Sequence, residues 1–150
     1  MTIVEFEKVL QKGESIDTEF KSWVKASSRK ERVALALDEP IAFANSKGGT
    51  VYFGVEDNGE VTGCTGNYDL QNIVEAIYDK TRPPLFTEAG EFEYKGKTVI
   101  TLSVEHDGTT YATTDGRCLR RLGKNSKPYY PDEIAINILP FRIPIFPDKL

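Results

Sequence analysis

Glu14, Glu19 and Asp57 are carboxylates placed in two short segments, Glu14-Ser15-Ile16-Asp17-Thr18-Glu19-Phe20-Lys21 and Gly54-Val55-Glu56-Asp57. Carboxylate oxygens are what hard divalent cations bind. Two or three that converge can hold Mg²⁺ or Mn²⁺, activate a water and offset charge on a phosphodiester. Lys21, two residues after Glu19, gives the Glu-x-Lys spacing used by many metal-dependent nucleases and suits a phosphate. The same spacing recurs at Glu93-Tyr94-Lys95. The residues alone therefore leave a plainer reading open, in which Glu14 closes a helix, Asp57 belongs to a turn and all three acids are solvated. Gly48-Gly49 is similarly double-edged: it stops a helix and leads into a strand, or it opens backbone amides to a phosphate.

Two basic runs accompany these segments. Lys21, Lys25, Arg29, Lys30 and Arg32 face Glu31 alone, and Arg117, Arg120, Arg121, Lys124 and Lys127 occur in a stretch without an acid. The whole chain carries −4, so the remainder is strongly acidic and a local positive face stands on an acidic body. Ordinary solvated surface is the alternative. The candidate phosphate contacts are Lys21, Lys25, Arg29, Arg120, Arg121, Lys124 and Lys127. Arg120 and Arg121 are adjacent, so on a strand they face opposite ways and only one can enter a shared groove. Lys124 and Lys127 are expected in a following loop.

Other chemistry is excluded by composition. His106 is the single histidine and Cys64 and Cys118 match no metal or redox spacing, so no zinc site is expected. Gly96-Lys97-Thr98 resembles the end of a phosphate-binding loop, but Glu91 stands where that loop requires glycine. Gly59, Gly63 and Gly66 do not fit a dinucleotide fingerprint, so no nucleotide cofactor is expected. Glu5 and Glu7 interrupt any signal peptide, and no apolar run approaches the ~20 residues of a membrane span. The expectation is a cytoplasmic protein with free thiols.

The elements that must position these residues follow from periodicity. Ile3, Phe6, Val9 and Leu10 predict a helix over 3–11 ended by Gly13. A strand is predicted over 18–24. Ser28 and Glu31 are spaced as a capping box for a helix that Pro40 should kink or break. Strands are predicted over 50–55, 86–94 and 98–104, the last two forming a hairpin at Lys95-Gly96. Asp57-Asn58-Gly59 reads as a turn. Leu70, Ile73, Val74 and Ile77 predict a helix ended by Pro83-Pro84. Short strands near Tyr111 and over 118–122 precede a helix opened by Pro131. The fold class is α+β, a mixed, mostly antiparallel sheet with helices mainly on one face. Residues 1–139 form one domain and 140–150 a proline-rich tail.

The segments Gly13-Glu14-Ser15-Ile16-Asp17-Thr18-Glu19-Phe20-Lys21 and 42–59, with its Ala-Phe-Ala-Asn-x-x-Gly-Gly block, resemble the Schlafen-type, AlbA-like DNA-binding domain. The resemblance extends through the helix at 69–81 to Arg120-Arg121-Leu122-Gly123-Lys124-Asn125-Ser126 and Pro131-Asp132-Glu133-Ile134, covering roughly residues 5–138. It implies nucleic-acid binding, to DNA or RNA. Some animal Schlafen proteins cleave tRNA and rRNA through two glutamates and an aspartate, and Glu14, Glu19 and Asp57 stand at the matching positions, with Lys21 beside them. The resemblance thus implies a metal site of Glu14, Glu19 and Asp57 and an Mg²⁺- or Mn²⁺-dependent endoribonuclease. The alternative is a non-catalytic DNA-binding module of a transcriptional regulator or helicase-related protein. The animal proteins' zinc site has no counterpart here. Their core has two lobes against one here, which implies a homodimer.

Overall fold

The four-stranded sheet at the centre is built around two apolar strands. A computed structural model of the protein describes residues 1–25 and 28–138, with all their side chains except those of Arg29, Arg32, Ala34, Leu35 and Ile138. The expected tail over 140–150 lies outside the described residues. Strand β1 (Thr18–Lys21) runs parallel to β2 (Gly49–Phe53); β2 pairs antiparallel with a long strand, Lys97–Val104, which pairs antiparallel with Glu88–Tyr94. With two further short strands, Thr81–Arg82 (β3) and Ala112–Thr113 (β6), the long pair become β4 (Glu88–Tyr94) and β5 (Lys97–Val104), and the sheet order is β1-β2-β5-β4. The β4–β5 hairpin closes through Lys95 and Gly96, both at positive φ, the conformation a two-residue hairpin turn demands.

Period-two alternation divides the sheet into two apolar faces. Val51, Phe53, Ile100, Leu102 and Val104 pack against Ile41, Phe43, Ile73 and Ile77 of two helices, α2 (Arg29–Ala44) and α3 (Leu70–Asp79). Phe20, Tyr52, Val99 and Tyr94 face the other way, around fully buried Phe6 of α1 (Ile3–Lys12). Burying a side chain such as Phe6 contributes about 1.5–3 kcal/mol. Two helices on one face against one on the other agrees with the expected α+β arrangement.

The three helices packed on the sheet, α1, α2 and α3, each begin after a capping side chain. Thr2, Ser28 and Asp69 accept from the backbone N–H of Glu5, Glu31 and Gln71. The expected break at Pro40 does not occur: α2 is continuous to Ala44 with Pro40 inside it. Ala36, Leu37 and Ile41 are buried on both sides of the proline, and that packing holds the helix despite a cost of about 3 kcal/mol for an interior proline. Gly48 and Gly49 are constrained by close approach. A Cβ on Gly49 would lie 2.7 Å from the Asp17 carbonyl oxygen and 2.8 Å from the Phe43 ring.

The chain ends, among the described residues, in a second hairpin and a helix. β7 (Leu119–Leu122) pairs antiparallel with β8 (Asn125–Pro128), and α4 (Pro131–Ile138) follows. β8 replaces the expected loop: Lys127 is a strand residue opposite Arg120, and Lys124 lies in the turn. The hairpin packs against α2.

Candidate nucleic-acid interface

Glu19 and Lys21 leave β1 on the face opposite Phe20, toward α2. Glu39 of α2 turns to the same place, because it falls three residues after Ala36 and four before Phe43 on the helix's buried side. Arg121 enters from β7 and closes the group. Its Nη1 donates to Glu19 Oε1 at 2.7 Å, to Glu39 Oε1 at 3.3 Å and to Ser126 Oγ at 3.1 Å. Its Nη2 donates to the backbone oxygens of Ser15 at 2.7 Å and Thr18 at 3.2 Å, and its guanidinium lies 4.7 Å from the Phe43 ring centre. Lys21 Nζ is 3.3 Å from Glu39 Oε2, and the Ser126 hydroxyl donates to Glu39. Glu14 accepts from the Phe20 N–H at 3.0 Å and shares a hydrogen bond with Glu19.

Three acids thus meet two cations, and one proton restores balance. Burial, followed by the hydrogen bond with Glu14, pushes the Glu19 carboxyl up to about 8 against the opposing pull of Arg121. Glu19 therefore carries a proton at neutral pH. The sequence reading missed Glu39 and Arg121 as the partners of Glu19. For Glu39 a signal existed, a carboxylate on the apolar side of a helix. For Arg121 there was none beyond the strand alternation that turns it away from Arg120.

This arrangement corrects two expectations about site residues. Arg121 was expected to contact phosphate, but it is 3% exposed and held by internal acceptors, apart from a buried Nε–H with no partner among the described residues. The trio of Glu14, Glu19 and Asp57 is not assembled. Glu14 and Glu19 meet, whereas Asp57 is exposed in the turn beyond β2, where Gly59 N–H donates to Glu56 O. Among the described residues no three His, Cys, Asp or Glu side chains are grouped to hold a metal ion. Glu19 is held by the Arg121 guanidinium at 2.7 Å and Asp57 stands apart in its turn, so the three residues as arranged do not form a shared Mg²⁺ or Mn²⁺ site.

The remaining basic candidates divide by partner. Lys21 is tied to Glu39, and Lys25 lies 3.1 Å from Glu56. The Arg29 side chain lies outside those described. Arg120 is ion-paired with Glu133, with its Nε 3.0 Å from Oε2, and lies over the Tyr129 ring. Lys124 and Lys127 are exposed and have no carboxylate partner among the described residues. Cross-strand partners share a face, so Arg120 and Lys127 point outward together while Arg121 and Ser126 point inward.

Fold and interface define a small α+β domain with a basic hairpin locked onto its sheet by a buried arginine. The chain belongs to the Schlafen, AlbA_2 family, whose model matches residues 14–130. No curated protein matches the sequence. Among solved structures the chain is similar to the DIP2311 protein from Corynebacterium diphtheriae, with a TM-score of 0.65 and 20% identity over 84% of this chain. It spans only 26% of that protein's length. It also matches the N-terminal domain of a RecG-related protein from Nitrosomonas europaea, with a TM-score of 0.47, 22% identity, and 83% and 88% of the two chains covered.

Proposed function

We propose that this domain binds nucleic acid through the phosphate backbone, along the outward face of the β7–β8 hairpin. The observation that carries the reading is the sorting of charge on that hairpin. Arg121 is spent inside the fold, while Lys124 and Lys127 stand exposed beside Arg120, with no carboxylate partner among the described residues, on a chain of net charge −4. Free cations concentrated on one face of an acidic body are what a polyanion seeks, and their neutralisation releases counterions from the nucleic acid. Membership of the Schlafen, AlbA_2 family supports the same reading.

The test is fluorescence anisotropy with single-stranded RNA, tRNA and duplex DNA across about 50–300 mM salt. Each phosphate contact adds about −0.7 to the log–log slope on single strands, or about −0.9 on duplex DNA. The double variant Lys124→Ala/Lys127→Ala is expected to flatten that slope by roughly one to two units on every sequence. An unchanged slope would move the binding face elsewhere. The same RNA incubated with Mn²⁺ or with chelator is expected to remain intact, because Glu14, Glu19 and Asp57 do not converge. Metal-dependent scission lost in both Glu19→Gln and Asp57→Asn would replace the binding reading with a nuclease.

A further inference from the structure

The hairpin that carries the exposed lysines is tied to the rest of the domain strand by strand. On β7, Arg121 N–H donates to Ser46 Oγ and the Leu119 carbonyl accepts from the Asn45 amide, both at 2.8 Å. On β8, the strand of Lys127, the tie is the side chain of Ser126. Its hydroxyl donates to Glu39 of α2 and accepts from Arg121 Nη1 at 3.1 Å. A hydroxyl has a single proton to give, so the proton goes to the carboxylate and a lone pair to the guanidinium. Glu39 is 8% exposed, and a hydrogen bond to a charged acceptor shielded from water is stronger than one at the surface. Ser126 and Lys127 are adjacent on a strand and face opposite ways. Holding Ser126 against α2 therefore fixes the direction in which Lys127 leaves the fold. Lys124, in the turn that joins the two strands, is carried with it.

We infer that Ser126 is a positioning residue, whose hydroxyl bond to Glu39 fixes the orientation in which the hairpin presents Lys124 and Lys127 to a phosphate backbone. Ser126 itself touches no ligand. What the lysines bind rests on the nucleic-acid reading; the tether of β8 to α2 does not. A hairpin already held in one orientation loses less freedom on binding, so the tether acts on affinity and not on the number of phosphates neutralised. Two quantities then separate positioning from contact. The salt slope counts phosphate contacts, whereas the affinity at one salt concentration also records preorganisation.

The experiment uses the whole chain and the same RNA and DNA probes across the same salt range, with hydrogen exchange of the free protein beside it. Ser126→Ala is expected to weaken binding roughly fivefold at every salt concentration while keeping the parent's slope. In the free protein it is expected to speed exchange of the β8 amides and leave those of β5 as they were. Ser126→Thr keeps the hydroxyl on a residue that suits a strand and is expected to restore the parent's affinity. Thr98→Ala removes a comparable bond, Thr98 Oγ1 to Glu93 at 2.6 Å on the β4–β5 hairpin, and is expected to leave binding unchanged. A flattened slope in Ser126→Ala would make Ser126 a contact residue and overturn the positioning role. An equal loss in Thr98→Ala would overturn it too, as a general effect of stability. If Ser126→Ala speeds exchange at β8 but neither it nor the parent binds any probe, the tether stands and the nucleic-acid reading falls. If both bind the probes with the same affinity, that reading stands and the positioning role falls.

Discussion

Arg121 decides how the charged residues of this domain divide between structure and surface. Its sequence neighbour Arg120 has the same chemistry, yet one β-strand step sends Arg120 outward and Arg121 among Glu19, Glu39 and two backbone carbonyls. That opposition was legible in the sequence from alternation alone, but which of the two turned inward was not. The acceptors are about a hundred residues away in the chain and nothing local to Arg121 announces them. Glu19 shows the same limit from the other side. Its spacing to Lys21 suggested a cation site, whereas its environment is a guanidinium and a shared proton. A carboxyl raised from the ordinary range of about 4.3 to about 8 favours the fold below the lower value and loses that contribution as pH rises through the upper one. Unfolding free energy should therefore decline between about pH 4.5 and 8, and Glu19→Gln should flatten that decline. Urea titrations at several pH values measure it, and an identical pH profile in the variant would contradict a protonated Glu19. Arg121→Met, by contrast, should cost about 3–5 kcal/mol, because it leaves the buried Glu39 carboxylate and Glu19 carboxyl without the guanidinium they share.

Among the elements, the long periodic ones were readable and the short ones were not. Of the three helices around the sheet, α1 and α3 were marked by apolar spacing and their stop residues and α2 by its capping box, and β5 by its run of branched residues. Two-residue β3 is too short to carry any period, and β8 reads Asn-Ser-Lys-Pro, polar and ended by proline. The partnership of β8 with β7, and the contact of β7 with α2, make it a strand. The proline in α2 belongs with these: local propensity allows a break there, and tertiary packing keeps the helix continuous. Gly48-Gly49 belongs to the same scale, since it lets β2 start directly beneath Phe43. Gly49→Ala would drive its methyl group into the Asp17 carbonyl and the Phe43 ring. We expect a loss of about 1–3 kcal/mol, seen as a lower melting temperature. A variant as stable as the parent would show that β1 and β2 can separate at no cost.

For the whole molecule the question is how one lobe of 16.8 kDa covers a nucleic-acid chain. The family resemblance implies two lobes, so we propose that two copies pair to form one longer groove. Light scattering at high micromolar concentration should then give about twice the single-chain mass, and a single 16.8 kDa species would exclude it. The sheet itself limits how such a pair can form. β1 and β4 are its outermost strands. At β1 the Thr18 carbonyl accepts from Ser15 N–H and from Arg121 Nη2, and the Phe20 N–H donates to Glu14, so the chain before the strand and the guanidinium stand where a neighbouring backbone would pair. β4 carries exposed Glu88, Glu91 and Glu93, which repel a second copy of the same acidic strand. Both borders are therefore poor templates for ladder growth, and the hydrogen-bonded route to self-association that threatens open sheets is disfavoured on both sides. Two copies would have to meet through the side chains of helices and hairpins, leaving each sheet four strands wide.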